Sequence, residues 1–410
     1  MPPTSRSATA WPVWQISATA NSACPSAAPT WSADPRPMDS LTQFVLGAGI
    51  GVAVLGPRVG PRRAAIAGGL LGSLPDLDVL MPSSDAVDAF VSHRGFSHSL
   101  VVQAVVTPII GEGMTRFIAA LRRQRLATYA AVYLCLATHA LLDGLTVYGT
   151  KLLWPLVMEP YGVGSIFIID ILYTLPLLVA AVWALCLRQW TRRMGVVVGV
   201  ALALSSAYQA WCFGAQRIAT ARAESILLRA GITAERMLAI PTPFNSYFWR
   251  VIALHGDRYL NIYLPLFGGP ERTTIHDHPR NLDLAGCLMG NAAYDRVAWF
   301  SRGYYRLDQR GDEITVSDLR MGLTPDYVFQ YAVAQRIGDR VQAMAPRRIS
   351  SPRGGWDDIK WLFANITHTR SVRAREGAAW VGMAALTGAR HKTTDQKTME
   401  LGNSSTCKLR

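Results

Sequence analysis

Apolar residues come in blocks from Leu41 to Gly214, separated by short polar stretches. Two blocks are long and clean: 166–187 is interrupted by a single charged residue, Asp170, and 195–214 carries no charge. Each is long enough to cross the hydrocarbon core of a bilayer as a helix. Four more, 41–56, 64–74, 97–110 and 126–145, are shorter or broken by polar residues. They read as tilted, broken or re-entrant helices, tolerated where protein or a water-filled cavity covers the backbone. The pattern predicts a mainly α, polytopic membrane helical bundle of about six segments spanning residues 38–214.

Beyond residue 214 the pattern changes. AQRIATARAESILLRAG reads as an amphipathic helix, and YFWRVIALHGDRYLNIYLPL and YYRLDQRGDEITVSDLRM each set a Gly-Asp turn between runs rich in Val, Ile and Tyr. Two β-hairpins are expected. Residues 215–370 therefore read as a smaller α+β domain, and 371–410 as a terminal region ending in a polar tail. The first 37 residues, rich in Ala, Ser, Pro and Trp, have no apolar h-region and read as disordered, with Met38 a natural alternative start.

Composition supports a membrane protein: 50% of the residues are hydrophobic and only 17% charged. The net charge of +13 would also suit a nucleic-acid binder. No zinc-finger spacing, aromatic RNA-binding signature or long basic run accompanies it, so no nucleic acid is expected. The arginines instead fall in alternate loops: Arg58, Arg62 and Arg63; Arg116, Arg122, Arg123 and Arg125; Arg188, Arg192 and Arg193. Cytoplasmic loops are basic in this way, so the remaining loops and the C-terminal domain are expected outside the cytoplasmic membrane. The six cysteines are scattered without a CxxC and indicate neither a disulfide framework nor a thiolate metal site.

The non-cytoplasmic loops hold the unusual polar residues. Asp76 and Asp78 lie in PDLD, His93, Arg94 and His98 in HRGFSHS, and His139 and Asp143 in HALLDG. His139 and Asp143, four apart, share one helix face, as two ligands from one element do. Taken alone, that pair could be a helix-internal hydrogen bond, PDLD a turn and helix cap, and a lone histidine structural. Together they offer three imidazoles and three carboxylates on one membrane face, a ligand set for a divalent metal: zinc first, with manganese or iron as alternatives. A bound cation lowers the pKa of water and stabilises charge developing on a carbonyl or phosphoryl oxygen. Asp76 or Asp78 could serve as general base, and Arg94 could hold an anionic group. Glu159 and Asp170 lie near enough in sequence to support the ligands. His276 and His278 in TIHDHPR could chelate from one strand face, but in a Pro-containing loop they read as solvated.

The runs MDSLTQFVLGAGIG, GSLPDLDVL, HRGFSHSL and HALLDGLTVYGTKLLWP together resemble the bacterial membrane-bound metal-dependent hydrolase family, the YdjM-like inner-membrane hydrolases. The likeness covers about residues 38–160. It implies an integral membrane protein whose metal ligands, by position, are Asp76, Asp78, His93, His98, His139 and Asp143. The expected function is a hydrolase in which water activated by the metal attacks a phosphate or other ester, lipid or lipid-linked, at the outer face of the inner membrane. The alternative is a non-catalytic or transport protein with a structural polar cluster, since intramembrane acids and histidines also mark transport routes.

Overall fold

The computed structural model describes residues 40–338, 340–350, 355–367 and 369–381. The expectations for residues 1–37 and for the polar tail beyond 381 lie outside them. Helix α1 (Ser40–Val59) ends at Gly60, whose φ of +86° suits glycine, and Pro61 opens α2 (Pro61–Ser73) at a position that needs no N–H donor. The two helices fold back on each other with almost no loop. Glycines make this contact possible: a Cβ at Gly47 would stand 2.3 Å from the Gly68 carbonyl oxygen, and one at Gly51 2.4 Å from that of Ala64. Gly47→Val is expected to destabilise the bundle by at least about 1–3 kcal/mol, because backbone must move to admit it. A shift in the thermal unfolding of detergent-purified protein measures this, and an unchanged midpoint would refute it.

A 3-10 turn (Pro75–Leu80) and the short α3 (Ala86–Ser92) lead to α4 (Leu100–Phe117), which is followed by α5 (Arg125–Leu145), α6 (Ile171–Cys186) and α7 (Arg192–Arg229). The expected count of about six crossings is corrected. Among the described residues three helices are long and apolar enough to cross a membrane: Leu41–Val59, Arg125–Leu145 and Arg192–Arg229. With 13 residues, α2 spans only about 20 Å against the roughly 30 Å of the hydrocarbon core. Helix α6 is apolar but short, since Asp170 caps its start through Leu172 N–H and Tyr173 N–H, so it begins at Ile171 and not at Ile166. Helix α4 carries Pro108 inside it and Glu112 and Arg116 toward its end. These shorter helices still pack into the same core, around Val45, Val52, Leu136 and Leu177.

The predicted amphipathic helix is the second half of α7, which runs 38 residues without a break. Its Ala215, Ala219, Ala223 and Ile226 pack under an antiparallel sheet of β1 (Arg236–Pro241), β2 (Phe248–His255), β3 (Arg258–Pro265) and β4 (Thr274–Pro279), in that order. Helix α8 (Ala292–Phe300) then precedes β5 (Tyr305–Arg310), β6 (Glu313–Asp318), the small ribbon of β7 (Gly322–Leu323) and β8 (Asp326–Tyr327), β9 (Gln330–Ile337) and β10 (Arg340–Arg348). The second sheet, ordered β10-β9-β6-β5, is also antiparallel. Both predicted hairpins form, β2–β3 through Gly256 and Asp257 and β5–β6 through Gly311 and Asp312. Helix α9 (Trp356–Ile366) and a 3-10 turn (Ala374–Ala379) follow. Of the cysteines, Cys135, Cys186 and Cys212 are free and Cys287 is disulfide-bonded, which the scattered spacing did not indicate.

Thus the chain is mostly helical with a C-terminal β-sheet domain, and the two parts are clamped together beside the loop that follows PDLD. Phe90 and Val91 of α3 and Tyr148 pack among Phe300, Phe329 and Tyr331, and Arg296 pairs with Asp85 at 2.6 Å.

Candidate metal centre

Four of the predicted residues converge. Asp76 comes from the 3-10 turn after α2, His98 from a second 3-10 turn (Phe96–His98), and His139 and Asp143 from consecutive turns of one face of α5. One ligand atom from each lies within 4.8 Å of the other three. His98, His139 and Asp143 are fully or almost fully buried, so their polar groups must be satisfied locally.

The ring tautomers can be assigned from the partners. His139 Nδ1 lies 2.6 Å from the Gly72 carbonyl, which can only accept, so Nδ1 carries the proton and Nε2 a lone pair. The Ser97 hydroxyl donates to Asp78 Oδ2 at 2.7 Å and therefore accepts from His98 Nδ1 at 2.8 Å, leaving a second lone pair at His98 Nε2. These two Nε2 atoms face each other at 3.0 Å. Asp76 Oδ1 stands 3.5 Å and 3.4 Å from them, and Asp143 Oδ2 3.2 Å and 3.6 Å. Both carboxylate oxygens are buried and neither accepts a well-directed hydrogen bond, although the Arg94 guanidinium lies 3.0 Å from Asp143 Oδ2.

Four electron-rich atoms at this spacing repel one another unless a cation sits among them. Donors about 2.0–2.1 Å from a tetrahedral centre stand about 3.3–3.4 Å apart, and five of the six separations lie near that value, the sixth, between Asp76 and Asp143, being within 4.8 Å. Without a metal the same need is met by a proton. Burial opposes charge on His98, but its hydrogen bonds to Asp143 and Asp76, with the charges of Asp143 and Asp78, raise its pKa to about 9. Burial likewise pushes Asp76 up, yet hydrogen bonds and charge from His139 and His98 hold it well below the usual carboxylate range. Residues of both histidine-rich motifs thus share one electrostatic demand.

The other two predicted ligands stand one layer out. Asp78 accepts from His93 Nδ1 at 2.7 Å, from the Arg94 N–H at 3.1 Å and from Ser97, and its Oδ2 lies 3.5 Å from His98 Nδ1. It orients His98 as a carboxylate orients a metal-bound histidine. His93 turns away from the four atoms, toward Asp78 and the Tyr148 ring.

Arg94 is 2% exposed and adopts a φ of +62°, a left-handed conformation costly for a non-glycine residue and typical of functional sites. Its Nε lies 3.0 Å from Asp143 Oδ2, its Nη1 donates to Thr146 Oγ1 at 3.0 Å, and its guanidinium lies over the Tyr148 ring. It also lines a cavity of about 20 Å³, room for about one water, together with Gln43, Asp76, Asp143, Thr146, Phe167 and Asp170. Asp170 thus borders the site while capping α6, and Glu159 is exposed on its loop.

Sequence reasoning missed Gln43, which donates to Asp143 Oδ1 at 2.9 Å, and the Gly72 carbonyl. A single amide in the first turns of an apolar helix was the available signal for Gln43. The reading of His276 and His278 as solvated is corrected: both are buried. They lie under a later segment, where His276 Nδ1 meets the Glu376 carbonyl and His278 Nε2 its carboxylate, which also accepts from Asn261 and Tyr263. Among the described residues, the group that could hold a metal is the one built on α5.

Residues 38–219 match the YdjM inner membrane protein family. A stretch of 106 residues is 39% identical to inner membrane protein YbcI of Escherichia coli (strain K12), covering 25% of this chain and 58% of that relative. No solved structure matches the chain. The stretch that resembles the YdjM inner membrane protein family, residues 38–219, contains all four converging side chains.

Proposed function

We propose that this protein is a membrane-bound, metal-dependent hydrolase acting on a phosphate or other ester, lipid or lipid-linked, at the outer face of the inner membrane. The observation that carries the reading is the convergence of four lone-pair atoms beside a water-sized cavity that Arg94 also lines. A divalent ion, zinc ahead of manganese or iron, would supply Lewis acidity and lower the pKa of a water in that cavity. Gly72 and Ser97 fix the histidine tautomers, Asp78 braces His98, and Gln43 holds the far oxygen of Asp143. Arg94 offers a buried positive charge to an anionic group, and Asp76, the most solvent-accessible of the four, is positioned to take the proton of an attacking water.

Orientation is part of the proposal. Gln43, Gly72, His98, Asp143 and Asp170 all belong to one end of the bundle, the end that carries the β-sheet domain, whereas the Arg58 guanidinium meets Gln124 at the other, Arg-rich end. Basic ends tend to stay in the cytoplasm, which supports a site and a C-terminal domain on the outer side. A reporter fused after Gly231 is expected to be active outside the cytoplasm; activity inside alone would overturn the orientation.

One observation favours a second reading. Zinc sites closed by four protein ligands are usually structural, whereas catalytic ones keep a position open. The hydrolysis test separates the two. Extracted membrane lipids and lipid-linked phosphates are presented to purified protein with and without chelator, beside Asp143→Asn. The catalytic reading expects chelator-sensitive turnover that falls at least about 100-fold in the variant. A fully metal-loaded protein with no turnover on that panel would establish the structural reading instead.

A further inference from the structure

We infer that the mouth of the metal centre is ringed by an apolar collar embedded in the interfacial layer of the bilayer, so that the site opens to lipid and not to bulk water. The 3-10 turn Pro75–Leu80 has its side chains arranged the wrong way round for a turn in water. Both of its carboxylates point inward, Asp76 to the histidines and Asp78 to His93 and Ser97, while Leu77, Leu80 and the following Met81 point out. Across the mouth, Ile166, Phe167 and Ile168 line the same cavity as Asp76, and the adjoining Ile169 and Ile171 are again outward. Phe96 completes the ring between Arg94 and Ser97, both held by Asp78.

These six large apolar side chains are 41–64% exposed. An apolar surface of this kind, continuous around a polar site, marks a contact with membrane or protein. Continuity selects lipid. Ile171 begins α6, whose outward side chains Leu172, Leu175, Val179 and Val182 carry on the same exposed surface down a bundle whose residues match an inner membrane protein family. Trp154 stacks edge-on against Phe96 at 6.4 Å, and an aromatic ring at this level fits the headgroup boundary. The collar sits where an amphipathic element would seat its apolar face, about 5–10 Å below the headgroups. Entry of a bilayer-resident substrate from the side rests on the hydrolase reading; the depth of the collar does not.

The test reads depth without turnover. Leu80→Cys, in a background carrying Cys186→Ser, is labelled with bimane and reconstituted in vesicles of zwitterionic and anionic phospholipid, and the signal of the same background without Leu80→Cys, labelled alike, is subtracted. Lipids brominated near the headgroup are expected to quench it at least twofold, and aqueous iodide little. Asp312→Cys on the β5–β6 turn should show the reverse. Quenching of the Leu80 label by iodide but not by brominated lipid would overturn the inference, and so would a partner protein that protects it from both. If the Leu80 variant does not fold, Ile169→Cys across the mouth gives the same readout. A collar found at depth in a protein that hydrolyses no lipid would refute the hydrolase reading alone, while a collar found in water beside chelator-sensitive hydrolysis would refute only this inference.

Discussion

Substituting His139 by Ala is expected to leave a folded membrane protein with essentially no tightly bound metal. His139 Nε2 is one of two imidazole donors, and Ala removes it together with the hydrogen bond that seats it on Gly72. Changing a residue that only orients a ligand typically costs about 10–100-fold in metal affinity, so losing the ligand itself should cost more than about 100-fold. This sets an order among variants. His98→Ala and Asp143→Ala should match His139→Ala, whereas Asp78→Asn should show the smaller loss, since Asp78 reaches the cluster through His98. His276→Ala should bind metal as the wild type does, because its ring is occupied with Glu376. Metal analysis of the five detergent-purified variants beside the wild type decides the matter, and equal loss in His276→Ala would move the site into the C-terminal domain.

Replacing Arg94 is expected to separate binding of metal from catalysis. With Asp76 and Asp143 ionised and a divalent cation among them, the four-residue cluster itself is neutral, and Arg94 adds a positive charge at the cavity wall. That charge attracts a phosphate-like group and stabilises negative charge as it develops, the kind of donor whose removal costs about 100–1000-fold in rate. Arg94→Ala should therefore lower hydrolysis of an anionic ester by about that factor and of a neutral ester far less. The variant also leaves Asp143 without its 3.0 Å partner and strips the cover from Tyr148, so stability should fall, by about 3–5 kcal/mol if the pair behaves like other buried ones. Arg94→Lys restores charge without the planar fork and should recover stability better than rate. Equal loss on neutral and anionic esters would show that Arg94 serves structure only.

Much of the site could be read in the sequence because its parts obey local rules. The four-residue spacing of His139 and Asp143 places them on one helix face wherever that helix goes, and acids and histidines inside apolar runs need partners wherever they are buried. What could not be read depends on tertiary contact. Asp76 and Asp78 look alike in PDLD, and only the turn of the backbone sends the first to the cluster and the second to His93. Gln43 and Gly72 enter through the close glycine packing of α1 on α2, which no spacing announces. The crossing count failed because apolar blocks were counted as spans: the 64–74 block lies in a helix of only 13 residues, Asp170 cuts the 166–187 block, and nothing cuts α7 at Gly214, so it continues into the sheet domain. His276 and His278 looked solvated because their partner Glu376 lies about a hundred residues away in sequence.

The central claim is that Asp76, His98, His139 and Asp143 hold one divalent metal ion, and X-ray absorption on the protein as isolated from membranes tests it most directly. The account predicts close to one ion per chain, with only nitrogen and oxygen neighbours at about 2.0–2.2 Å and the scattering signature of two imidazoles. A protein isolated folded and metal-free that takes up no ion when divalent metal is supplied, or a bound metal with sulfur neighbours, would contradict it.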